Sequence, residues 1–199
     1  MTTSTGLDDR SLDIIFGAAR THNNWREEEV PEALIRRTYE LARMGPTSMN
    51  CSPARFLFLM SKDAKAKLAP ALLPGNLEKT LAAPCTVLIG YDTNFHERLP
   101  ELFPHLPQAA GMYAANPALA EETAFRNSSL QGAYLIIAAR SLGLDCGPMS
   151  GFNAAAASAA FWPDGRIKAN FLCNLAYGDG EKLFPRGPRL SFDDACQVL

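Results

Sequence analysis

The chain has 199 residues, 47% of them hydrophobic and 20% charged, the balance of an ordinary globule with a real core. A net charge of −2 provides no basic footprint for nucleic acid, and the longest apolar run, Ala133 to Ala139, is too short to span a bilayer. The polar leader MTTSTGLDDR (residues 1–10) has the character of neither a signal nor a transit peptide, which points to the cytoplasm.

In chain order, SLDIIFGAAR places Leu12, Ile15, Phe16 and Ala19 at helical spacing. A second helix opens with Pro31 at its first position, shares Leu34, Ile35 and Leu41 on one face, and ends at Gly45-Pro46. RFLFLM (Arg55 to Met60) reads as a buried strand, and Ser61 as the N-cap of a helix through Leu72. A short helix over Asn76 to Ala82 precedes a second strand, Cys85 to Asp92. Thr93 to Pro117 is Pro-rich and patternless, long enough to suggest a lid or excursion. The longest helix runs from Leu119 to about Leu142, with Phe125, Leu130, Ala133, Tyr134, Ile137 and Leu142 read as inward, and Gly143 caps it. CGPMSGF is a tight turn before a short helix capped by Asn153. A third strand covers Asn170 to Asp179, FPRGPR is a proline-stiffened arm, and Ser191 with Asp194 opens a last short helix. Together the elements predict one α+β domain over residues 1–199, a sheet covered by helices on both faces, with strand direction undetermined.

The five cysteines stand singly with no C-x-x-C pair, and the three histidines lack metal-ligand spacing, so a metal site is not expected. G-x-S-x-G, G-x-G-x-x-G and P-loop motifs are absent. What remains are four rigid polar stretches: ARTHNNW (Ala19 to Trp25), GPTSMNCSPARF (Gly45 to Phe56), CGPMSGF (Cys146 to Phe152) and FPRGPR (Phe184 to Arg189). Arg20, Arg186 and Arg189 suit planar, bidentate anion binding, and Asn76 and Lys79 share a helical face. Taken singly, each is more simply a solvated helix end, a turn or a surface arm, and His22 a structural hydrogen-bonder. Jointly they would hold a phosphorylated ligand with a polar ring.

The order of these stretches, together with ERLPELFPH, LAEETAFRNSS and GLDCGPMSGF and with KLF and PRLSF near the C-terminus, resembles the FMN-dependent nitroreductase superfamily from about Ser11 to Leu199. Within it, the branch resembled is the malonic semialdehyde reductases of the Rut pyrimidine-degradation pathway. The resemblance implies a central, mostly antiparallel sheet and an intertwined homodimer with FMN at the interface. It assigns Arg20, Arg186 and Arg189, with Thr21 and His22, to the FMN phosphate. Asn76 and Lys79 fall toward the pyrimidine edge of the ring, where a cation raises the reduction potential, and Asn24 is a further cofactor-binding residue. Pro148 and Met149 would pack on the ring face, and the N–H groups of Ser150 or Gly151 would meet flavin N5. Pro46, Thr47, Ser48 and Asn50 would clamp the partner's cofactor, rigid because two chains assemble the site.

Two positions depart from the family pattern. The polar run after Arg20 lacks the usual second cation, leaving Lys79 alone, and Ser150 replaces an acidic residue. The activity implied is ping-pong hydride transfer from NADH or NADPH through FMN to an aldehyde, malonic semialdehyde giving 3-hydroxypropanoate, with no side chain as the catalytic acid. Arg55 or Arg126 would meet the substrate carboxylate. The alternatives are a general nitro- or quinone reductase and a flavin-binding protein without turnover.

Overall fold

The computed structural model describes residues 6–199, so residues 1–5 of the polar leader lie outside the described residues. The strands are β1 (Ala54–Leu59), β2 (Cys85–Asp92), β3 (Asp145–Met149) and β4 (Ile167–Ala176). They form one sheet of order β1-β2-β4-β3, and every pair is antiparallel. The helices are α1 (Asp9–Leu12), α2 (Glu32–Ala42), α3 (Lys62–Leu68), α4 (Pro74–Ala82), α5 (Leu99–Leu102), α6 (Ala109–Ala114), α7 (Pro117–Ser141), α8 (Ala154–Phe161) and α9 (Phe192–Ala195).

Strand periodicity explains the two cores. Val87, Ile89, Cys173 and Leu175 pack with Ile35 and Ala42 of α2 and with Leu135, Ala138 and Ala139 of α7. Leu88, Leu172 and Met149 point the other way, onto Leu68 of α3 and Ala157 of α8. Both sheet faces are therefore covered, and β2 is buried along its whole length. That burial is why CTVLIGYD reads as a continuous apolar run rather than an alternating one. Helix α7 comes close to the sheet at Gly132, where an added Cβ would sit 2.4 Å from the Phe171 ring.

Local capping chemistry agrees with the sequence at several ends. Ser61 accepts from Ala64 N at 3.1 Å, Asn153 from Ala156 N at 3.0 Å, and Ser191 from Asp194 N at 3.2 Å. Gly143 closes α7 at φ 84°, the left-handed conformation that glycine adopts without steric cost.

The differences have identifiable causes. CGPMSGF is not merely a turn: its first half is β3, an edge strand that tolerates Pro148. Strand β4 begins and ends three residues before the predicted span. The first helix is only α1 followed by a π-helical turn, Asp13–Gly17. It buries Ile15, leaving Leu12 and Phe16 exposed. The stretch read as patternless carries a 3-10 turn (Phe95–Arg98), α5 and α6. Phe95, Leu99, Ala109 and Tyr113 pack there with Cys51, Tyr91, Ala120 and Ala124. Pro100 and Pro117 stand in the first turns of α5 and α7, while Pro104 and Pro107 lie in the turns between α5 and α6.

The orientation of α7 also differs from the sequence reading. Its inward face is Ala124, Asn127, Ser128, Gln131, Gly132, Leu135, Ala138 and Ala139, small or polar residues that permit close packing. Phe125, Leu130, Ala133 and Tyr134 point away from the chain's own core. With apolar residues all round, hydrophobicity alone could not choose the buried face. Among the described residues, no helix is long and apolar enough to cross a membrane.

Candidate functional site

The π-helical turn and the C-terminal arm meet at a cavity of about 510 Å³. Arg20, Thr21, Arg186 and Arg189 line it as the sequence predicts, joined by Phe16 and by Arg140 of α7, which sequence reasoning missed. The arginines are oriented by backbone carbonyls. Arg20 donates to Phe184 O, and Arg186 Nη2 donates to Gly17 O at 2.6 Å and Ala19 O at 3.2 Å. Arg189 Nη1 donates to Gly187 O at 2.9 Å, and Arg140 Nη1 to Ile15 O at 3.2 Å. Among the described residues, none of these guanidiniums pairs with a carboxylate. Arg26, Arg36, Arg43, Arg55, Arg98, Arg126 and Arg166 all do. A carbonyl orients a guanidinium without cancelling its charge, so the cavity keeps a positive charge to which an anion is suited.

A second cavity of about 640 Å³ shares Asn23 and Phe184 with the first and is lined also by Asn24, Trp25, Lys79 and Lys182. The backbone of α4 is held there by Trp25 Nε1 (2.9 Å) and Asn174 Nδ2 (3.3 Å), both donating to Lys79 O. The Lys79 ammonium donates to Asn23 Oδ1 at 2.9 Å, and burial lowers its pKa from the usual lysine value. One turn earlier, Asn76 Nδ2 donates to Gly151 O at 2.7 Å. Leu73 N donates to the same carbonyl at 3.1 Å. A Cβ on Gly151 would lie 2.4 Å from Asn76 Nδ2, so a side chain there would displace the Asn76 amide. Among the described residues, the N–H groups of Ser150 and Gly151 have no protein acceptor.

Not every predicted residue converges on these cavities. The His22 side chain is buried with Nε2 3.3 Å from Asp145 Oδ1, and Gly178 packs against its ring. It braces β3 through Asp145 and does not line the arginine cavity. Met149 belongs to the core under α8 and takes a contact from Thr80 Oγ1 at 3.6 Å, so it offers no open ring face. Pro148, one residue earlier on the strand, is half-buried on the opposite face.

The loop after α2 also lies apart from the arginines. Ser48 N donates to Asn127 Oδ1 at 2.8 Å, Asn50 Nδ2 to Leu102 O at 2.9 Å, and Ser52 N to Thr47 Oγ1 at 3.2 Å. Several of its polar groups thus serve its own rigidity, holding Met49, Asn50 and Ser52 at positive φ. Pro46, Ser48 and Asn50 remain exposed. Asn127 and Arg140 are about 20 Å apart at the helical rise of 1.5 Å per residue, so one chain carries two separate polar clusters. Arg55 and Arg126 are committed elsewhere, Arg55 to Asp92 at 2.6 Å and Arg126 to Glu122.

Comparison with known proteins agrees with this architecture. The Nitroreductase family matches residues 18–168, and the chain belongs to that family. It is 58% identical over 194 residues to the "Putative NADH dehydrogenase/NAD(P)H nitroreductase" of Burkholderia lata, covering 98% of this chain and 99% of that one. A nitroreductase structure from Bacillus subtilis, ydfN, superposes with a TM-score of 0.88 at 18% identity, covering 96% of this chain and 100% of that one. One from Exiguobacterium sibiricum, solved in complex with FMN, gives 0.85 at 21% identity with full coverage of both.

Proposed function

We propose that this chain is an FMN-dependent NAD(P)H oxidoreductase. The observation that carries the reading is the arginine cavity without carboxylates, which shares Asn23 and Phe184 with the cavity that Lys79 lines. The fit to FMN is chemical: a phosphate dianion suits Arg20, Arg186 and Arg189, and a flavin's polar edge suits Asn76 and Lys79. When bound, FMN supplies reversible two-electron chemistry between NAD(P)H and an acceptor. Lys79, held by Asn23, places a cation beside that edge. Asn76 holds the Gly151 carbonyl, which leaves the Ser150 and Gly151 N–H groups free as donors.

The clamp role of Pro46, Thr47, Ser48 and Asn50 belongs to the same proposal and requires a second copy of the chain. The outward apolar stripe of α7 (Phe125, Leu130, Ala133, Tyr134) supports a homodimer that would bring one chain's loop to the other's arginines. Size-exclusion chromatography with light scattering tests it: a monomer at micromolar concentration removes the clamp.

For the acceptor we propose malonic semialdehyde, supported by the GPTSMNCSPAR and GLDCGPMSGF strings. General nitro- or quinone reduction is the second reading, favoured by the name of the Burkholderia lata relative. The test is anaerobic: FMN-loaded protein is bleached with NADPH or NADH, then mixed with malonic semialdehyde. Prompt return of the flavin absorbance supports the aldehyde. Return only on adding a nitroaromatic or quinone removes that substrate and keeps the oxidoreductase. No bleaching by either nucleotide removes the oxidoreductase.

A further inference from the structure

We propose that Arg140 is a fourth phosphate-binding guanidinium, projecting from α7 into the cavity formed by Arg20, Arg186 and Arg189; this rests on the flavin reading above. Arg140 lies outside all four stretches singled out by sequence. It stands in an apolar helical run, where an arginine is most simply a cation at the helix C-terminus. That account leaves one observation unexplained. The Nε–H of Arg140 is buried and has no hydrogen-bond partner, while its Nη1 is fixed by the carbonyl of Ile15. The Nε–H itself is closed to a ligand; what matters is that a guanidinium held by one neutral carbonyl keeps its charge, and Arg140 lines the cavity with that charge uncompensated.

The surroundings identify the acceptor's chemistry. Among the described residues, Arg140 has no carboxylate partner, and the groups sharing its cavity include Arg20, Arg186 and Arg189. Several cations facing one cavity repel each other unless a multiply charged anion enters, and a phosphate monoester brings about two charges and three terminal oxygens. The placement also divides the labour. Arg186 and Arg189 are exposed residues of an arm, whereas Arg140 sits on a 25-residue helix packed across the sheet. It supplies the rigid inner wall of the cradle, with the arm closing over it.

The experiment is a flavin competition on the full-length, FMN-loaded protein. Wild type, Arg140→Gln and Arg140→Lys are equilibrated with mixtures of FMN and riboflavin, and the bound flavins are separated and counted. Riboflavin lacks only the phosphate, so the ratio of affinities isolates the contacts made to it. Arg140→Gln can still donate to Ile15 O but carries no charge, and the FMN preference is expected to fall about 10- to 100-fold. Arg140→Lys, which keeps the charge, should recover part of that loss. An unchanged preference in Arg140→Gln overturns the proposal, as does loss of both flavins in proportion, which is the mark of a structural role. Should Arg140→Gln fail to fold, Arg140→Lys decides alone, since a lysine lacks the planar guanidinium fork: a preference equal to wild type overturns the proposal. A wild type that shows no preference for FMN over riboflavin removes the flavin reading itself, an outcome distinct from failure at Arg140.

Discussion

Asp92, at the end of β2, gives a direct test of how the excursion is anchored. Its side chain is 2% exposed and accepts from Arg55 Nη2 at 2.6 Å, from Arg166 Nε at 2.9 Å and Nη2 at 3.1 Å, and from Asn94 N at 2.9 Å. Arg166 also reaches Glu97 at 2.8 Å, so the network ties β1, β2 and the turn before β4 to the start of the excursion. Asp92→Asn keeps the shape but turns an acceptor-only group into one whose amide NH₂ faces a guanidinium. Removing one partner of a fully buried pair costs about 3–5 kcal/mol. Here the two arginine side chains are 34% and 36% exposed, and solvent can rehydrate them. A cost of about 2.5 kcal/mol follows, which for a chain of this length lowers Tm by roughly 5–10 °C. Differential scanning calorimetry reads the shift. Adding Arg166→Met should cost less in the Asp92→Asn background than in wild type, because the two changes share one interaction. A Tm within about 2 °C of wild type, or full additivity of the two substitutions, would refute this account.

Other consequences are equally open to measurement. Lys79→Met should make the bound flavin harder to reduce, lowering its midpoint potential by about 30 mV or more, the two-electron equivalent of about 1.4 kcal/mol; spectroelectrochemistry measures it. Gly132→Ala drives a Cβ to 2.4 Å from the Phe171 ring and should cost about 1–3 kcal/mol in urea unfolding. Burial pushes the Cys51 thiol up to about 11 and the Cys85 thiol up to about 12, both from 9.0. The folded state therefore holds protons that the unfolded state has released, and stability falls as pH rises above 9, by about 1.4 kcal/mol per pH unit for each thiol. Lys65 and Lys79 are lowered by burial and act with the opposite sign below 10.5, so the informative quantity is a difference. Cys85→Ala should flatten the loss between pH 9 and 11, and an unchanged slope would mean the thiol is not protected.

Local rules carried far in this sequence. The caps at Ser61, Asn153 and Ser191 and the glycine after α7 were readable because each involves neighbours along the chain. Strand β3 was not, because Pro and Gly within DCGPM are turn residues by composition and only its pairing with β4 makes it a strand. The excursion hid its helices because short helices held by tertiary packing lack a full amphipathic repeat. The arm and Arg20 were legible as candidate anion ligands, since Arg between prolines and glycine has no core to serve. Arg140 was not, since an arginine in a helical run is ordinary until its partners are known. The burial of Met149 was hidden for a related reason: adjacent residues of a strand face opposite sides, and the side it takes depends on what covers the sheet.

What distinguishes the arginine cavity is therefore an imbalance of charge. Among the described residues, seven of the other arginines pair with carboxylates, often one helical turn away, as in Arg36 with Glu32 and Arg126 with Glu122. Those pairs are cheap to form and contribute little, because both partners are exposed. In the cavity, Arg20, Arg140, Arg186 and Arg189 instead rest on carbonyls of the π-helical turn, the residues after it and the arm. The π-helical turn makes this possible, since its irregular geometry brings the Ile15 and Gly17 carbonyls within reach of arginines from two distant segments. An acidic residue among them would satisfy the same donors and abolish the positive potential. Neutral acceptors fix the geometry and leave the field intact. Folding thus leaves uncompensated positive charge in one place, a cost that a bound anion would offset.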